Sequence, residues 1–229
     1  MKHANANRYL CQNWQGMLQL LVYLLSRGYY FIHVGYFPVR KKNKWEKIDE
    51  KLILRYQTTK SKFQRCRQKR LGVANFFYFR WEGVAIIAHT DGATENVSME
   101  DTFIDIRYSP INISISELVS FKVSLVTPGI STTSKVEVAL ARETYKGLKE
   151  VLSVVASTKK THLAIAEFSK INNFPAYSRV IKQKVLLAKY LIRQLRKNQI
   201  ELSITELPIQ TRLKRYKVFF DTDGNCEAE

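Results

Sequence analysis

The chain has 229 residues, with 37 Lys and Arg against 20 Asp and Glu, a formal net charge of +17. Hydrophobic residues make up 45% and aromatics 12%, enough for a packed core, while nine glycines and five prolines exclude collagen-like and low-complexity classes. So positive a balance repels other basic surfaces and draws polyanions.

Residues 8–26 carry Leu10, Trp14, Met17, Leu18, Leu21, Val22 and Leu25 at three- and four-residue spacings, which predicts an amphipathic helix ended by Gly28. Gly16 weakens that preference from inside. The apolar stretch from Met17 to Phe37 is interrupted by Arg27 and has no small-residue cleavage site. It therefore predicts neither a membrane-spanning helix nor a signal peptide, and a cytoplasmic location is the expectation. Cys11, Cys66 and Cys226 are odd in number and lie at no metal-ligand spacing, which fits a reducing compartment.

Tyr29 to Phe37 reads as a strand stopped by Pro38. Glu46 to Gln57 and Lys60 to Arg70 read as helices ending at Gly72. Val73 to Trp81 and Val84 to His89 are apolar runs joined at Glu82-Gly83, the pattern of a hairpin. Period-two alternation then recurs over Ile104–Tyr108, Ile111–Ser116, Phe121–Leu125 and Lys135–Leu140, which predicts a mostly antiparallel sheet with one polar face. From Arg142 the period lengthens. Helices are expected around Tyr145–Val155, at Leu163–Phe168 and, the longest, from about Ala176 to Gln199 behind Pro175.

The fold class is accordingly α+β, with a mostly antiparallel central sheet, an N-terminal helix and a helical C-terminal part. The expected organisation is a helix plus β-rich domain over 1–141 with a basic helical insert at 40–71, a helical basic region over 142–220, and an acidic tail over 221–229.

Charge is concentrated along this chain. Residues 38–72 carry +10 and residues 176–220 carry +9, around a middle of −1 over 73–175, and the tail carries −4. On the last helix, Tyr177, Ile181, Val185, Ala188, Ile192 and Leu195 share one side, with Val180, Leu187 and Leu191 widening the apolar face, and Arg179, Lys182, Lys189, Arg193, Arg196 and Lys197 fall on an adjoining arc about a quarter-turn wide at 100° per residue. Only Lys184 and Leu186 break the division. Solvated helix faces normally mix both signs, yet no Asp or Glu occurs from Phe168 to Ile200. Like charges on one stripe repel, and a phosphate backbone would offset them.

The first block places Lys60, Lys62, Arg65, Arg67, Lys69 and Arg70 close together, with Trp45, Tyr56 and Phe63 interleaved. Such aromatics either anchor the helices in a core or stack on exposed bases. A third cluster, Arg212, Lys214, Arg215 and Lys217, precedes the strand-like Val218 to Phe220.

Catalytic candidates lie in the neutral middle: His89, Asp91, Asp101 and Asp105, with Asp91 and Asp105 as Mg²⁺ ligands. Metal-dependent phosphodiester cleavage needs carboxylates converging on the ion. Asp91-Gly92 is equally an ordinary turn pair, and the spacing matches no established catalytic pattern. The chain lacks a P-loop, a dinucleotide glycine fingerprint and a nucleophile elbow.

The leading expectation is a protein that binds DNA or RNA through two basic surfaces, in nucleic-acid processing or mobile-element maintenance, with no particular cofactor indicated. The alternative is a metal-dependent nuclease around Asp91 and Asp105, with Mg²⁺ as its cofactor. A membrane-surface role for the basic stripe fits less well, because no exposed apolar edge flanks it.

Overall fold

The computed structural model describes residues 9–94, 97, 102–127 and 134–220. The fold is α+β, with six α-helices and two antiparallel sheets among those residues. By contact density the chain divides into two compact units. One comprises residues 1–111 with 215–229, the other residues 112–214.

In the first unit, helix α1 (Trp14–Ser26) starts at Asn13, whose side chain accepts the Gly16 N–H at 2.7 Å. It buries Met17, Leu18, Leu21, Leu24 and Leu25 and packs against β2 (Phe76–Trp81). The glycine that weakens this helix has a tertiary reason. A Cβ on Gly16 would come within 3.0 Å of the Lys217 carbonyl oxygen, where the returning C-terminal segment crosses it. That segment is tied down further by Gln12, whose amide donates to the Phe219 carbonyl at 2.9 Å.

The four-stranded sheet has the order β2-β3-β1-β4, with β1 (Phe31–Tyr36), β3 (Val84–His89) and the short β4 (Ile104–Asp105). Every residue of β3 is buried, as a continuous apolar run in a central strand should be. The expected hairpin is present, closed by the pair Trp81 and Val84. Its turn works differently from the usual Gly pattern. Glu82 takes the left-handed conformation (φ +43°), while Gly83 is needed for close approach, since a Cβ there would lie 3.1 Å from the Phe37 carbonyl oxygen.

Helices α2 (Trp45–Arg55) and α3 (Lys62–Arg70) follow β1. Asp49 of α2 is fully buried and meets Arg80 of β2 in a bidentate ion pair with contacts of 2.7–3.1 Å, and it accepts the Tyr78 hydroxyl. The Arg80 guanidinium also lies 5.3 Å from the Trp45 ring centroid. This charged knot fastens α2 to the sheet.

The alternation expected through Tyr108 stops early. Asp105 accepts the Arg107 N–H at 3.0 Å through its side chain and the Ser109 N–H at 3.0 Å through its carbonyl, and this turn ends β4 after two residues. Local side-chain bonding outcompetes the sheet ladder here.

The second unit holds a meander of β5 (Ile111–Ser114, beginning at the boundary), β6 (Ser120–Val126) and β7 (Lys135–Leu140), then α4 (Arg142–Ser157), α5 (Thr161–Lys170) and α6 (Ser178–Lys197). Its core is built from Leu152, Ala156, Phe168, Leu187, Leu191 and Leu195. The Gln183 amide bonds both backbone groups of Leu140, accepting its N–H at 2.8 Å and donating to its carbonyl at 3.1 Å. One side chain thus sets α6 against the end of β7. Among the described residues, no helix is long and apolar enough to cross a membrane.

Candidate nucleic-acid interface

Helix α6 sorts its charges as its sequence pattern requires. Val180, Leu187, Ala188, Leu191 and Leu195 are buried, and Arg179, Lys182, Lys189, Arg193, Arg196 and Lys197 are all exposed. None of the six enters an ion pair among the described residues. Arg196 and Lys197 occupy the last turn, where the carbonyl end of the helix attracts cations. Arg179 stands in the first turn, where the helix dipole repels it, so no intrahelical effect explains its charge.

The two residues that break the pattern divide as geometry demands. Leu186 is exposed within the stripe, and Lys184 is turned fully inward, donating from Nζ to the Phe174 carbonyl at 2.8 Å. A neighbouring feature was not legible beforehand. Lys149 of α4 and Arg193 of α6 lie 5.0 and 5.7 Å from the ring centroid of Tyr190, so α4 contributes a cation beside the stripe.

In the first unit, α3 buries no residue at all. A nine-residue helix is marginal alone. It is held by a capping box between Ser61 and Gln64, by Arg65 donating to the Thr58 carbonyl at 3.0 Å, and by Asn75 donating to the Arg65 carbonyl at 3.1 Å. Lys62, Arg67, Lys69 and Arg70 are exposed, while Lys60 and Arg65 are half-buried. Arg67, Lys69 and Arg70 sit in the last turn, so helix-end electrostatics account for part of their placement. The interleaved aromatics separate into two kinds. Trp45 and Tyr56 are core anchors, whereas Phe63 is 86% exposed.

Of the acidic candidates, Asp101 lies outside the described residues. Asp91 and Asp105 do converge, but on a guanidinium. Arg107 donates to Asp91 at 2.9 and 3.1 Å and to Asp105 at 2.7–3.1 Å, and its guanidinium lies 4.9 Å from the Tyr30 ring centroid. Bonding to Arg107 holds the Asp105 carboxyl below its ordinary value. His89 is buried against the rings of Phe31, Phe76 and Phe103 at centroid distances of 4.6–4.8 Å, and burial lowers its pKa. Among the described residues no three His, Cys, Asp or Glu side chains are arranged to hold a metal ion. Among the described residues, the positive charge facing Asp91 and Asp105 is that of Arg107.

Fold and charge together define an α+β protein with a cationic helical surface in each of its two units. Comparison with known protein families, with curated proteins and with solved structures finds no match to the chain.

Proposed function

We propose that this protein binds nucleic acid through the α6 stripe and through the α3 block, and that it does so in a reducing, cytoplasmic setting. The observation that carries the reading is the exposed, acid-free row of six cations on α6, none paired within the described residues. Holding like charges on one face costs free energy that a polyphosphate backbone returns by releasing its condensed counterions. Cys11 and Cys66 are both free, one buried and one exposed, which suits the reducing setting.

The test is a salt titration of duplex and single-stranded DNA and RNA binding. Six phosphate contacts give a slope of log K against log salt of about −5 on a B-form duplex. Reversing Arg193→Glu with Arg196→Glu should make that slope shallower by about 2 and weaken binding, while the thermal midpoint stays nearly unchanged. An affinity that barely responds to salt, or that survives the reversal, rejects the reading.

A further inference from the structure

A cavity of about 630 Å³ opens in the first unit where the chain turns from α2 into α3. Its size falls inside the roughly 300–1,000 Å³ typical of small-molecule sites. Lys60, Lys62 and Arg65 line it together with Tyr9, Phe77 and Tyr78, and no Asp or Glu is among the lining residues. The chain from Lys51 to Trp81 likewise contains no acidic residue.

Arg65 is held in place before any ligand arrives. Its Nη2 donates to the Thr58 carbonyl at 3.0 Å, and its guanidinium lies 5.1 Å from the Phe77 ring centroid. Its Nε is buried without a partner, the one such atom among the residues lining the cavity. A buried N–H without an acceptor is costly, and such groups in folded proteins call for an explanation. An anionic oxygen entering the cavity would instead meet the ammonium groups of Lys60 and Lys62 and the guanidinium of Arg65 where they line it. Tyr9, stacked at 5.7 Å on the buried Tyr78, and Phe77 are partly exposed on the same lining, so aromatic surface and a fixed cation share one pocket.

We propose that this cavity binds a nucleoside monophosphate unit, with its phosphate among Lys60, Lys62 and Arg65 and its base against the aromatic lining. A lone phosphate would use the cations and leave the rings idle; a nucleoside would do the reverse. The unit can reach the pocket free in solution or as the 5′-phosphorylated end of a strand. In the second case the inference rests on the nucleic-acid reading above.

The experiment compares binding of AMP, adenosine and inorganic phosphate by calorimetry. It also compares 5′-phosphorylated and 5′-hydroxyl oligonucleotides of one sequence. AMP is expected to bind more tightly than either fragment. Arg65→Met should weaken AMP binding about tenfold, the scale of one lost charge-assisted hydrogen bond. Lys60→Gln with Lys62→Gln, on side chains that hold no core together, should weaken it as well, and melting curves of both variants check the fold. Tighter binding of the phosphorylated oligonucleotide, lost in Arg65→Met, assigns the pocket to strand ends. AMP binding with no oligonucleotide binding assigns it to free nucleotide and removes the nucleic-acid reading. If oligonucleotides bind regardless of their 5′ end and AMP does not bind, the cavity proposal fails while the broader reading stands. AMP binding that is untouched by both variants also overturns it.

Discussion

Lys184 Nζ donates to the Phe174 carbonyl oxygen at 2.8 Å from inside the core of the second unit, while the other six cations of the same helix face solvent. Burial lowers its pKa from 10.5 to about 8. The folded state thus gives up this proton more readily than the unfolded chain. Below about pH 8 both states hold it and the full cost of the buried charge is present. Between about pH 8 and 10.5 the unfolded chain binds more protons, so stability rises with pH. Urea unfolding at pH 7 and pH 9.5 should show that rise in the wild type and a smaller one in Lys184→Met. Equal pH dependence in the two proteins would mean that Lys184 does not titrate in the core.

The ion pair between Asp49 and Arg80 makes a second prediction. Asp49→Ala leaves the buried Arg80 without its carboxylate, with only the Glu82 carbonyl still accepting from Nη1 at 2.6 Å, and takes the acceptor from the Tyr78 hydroxyl. Breaking one partner of a buried pair costs about 3–5 kcal/mol, more than the pair itself contributes over apolar replacements. The double variant Asp49→Leu, Arg80→Met should therefore recover part of the loss seen in chemical denaturation. A double variant as unstable as the sum of the two single ones would contradict this.

Phe63 stands almost free of the fold on α3, one turn before the exposed Arg67. Phe63→Ala should leave the melting temperature within about 2 °C, since surface changes of this kind rarely exceed about 0.5 kcal/mol. If the ring stacks on bases, the same change should weaken single-strand binding by about 1–3 kcal/mol and duplex binding far less. Parallel fluorescence titrations of both substrates decide it.

Arg107 clasps Asp91 and Asp105, and the linkage has a defined sign. Asp105, held below its ordinary value of 3.8, contributes stability above that value and loses it as pH falls through the lower folded value. Arg107→Gln removes the clasp and leaves two carboxylates facing each other. Its stability deficit against wild type should be full at pH 7 and shrink towards pH 3. The nuclease alternative is tested on the same residues. Incubation with DNA and RNA, with and without Mg²⁺, is expected to give no cleavage that Asp105→Ala abolishes. Cleavage lost in that variant would establish a metal-dependent activity.

Patterning alone determined much of this molecule. The α+β class, the Glu82-Gly83 hairpin and the helix from Ser178 to Lys197 follow from periods of two and 3.6, which depend only on backbone geometry. The positions of the six exposed cations on α6 follow from the same 100° step. Even the two exceptions, Lys184 and Leu186, were visible as exceptions.

The tertiary structure alone decided which of these charges are engaged within the fold. The total of +17 hides one lysine buried in a core, one arginine spent on Asp49, one spent on Asp91 and Asp105, and one fixed over Phe77 beside a cavity. Composition places the change of character at residue 142, yet contacts group β5 to β7 with the helices that follow. Gly16 likewise reads as a weak point in a helix until Lys217 is seen to cross it. These are long-range pairings, set by which surfaces meet after folding. A local spacing rule carries no term for a partner many residues away, so it locates the charges without telling a neutralised cation from a free one.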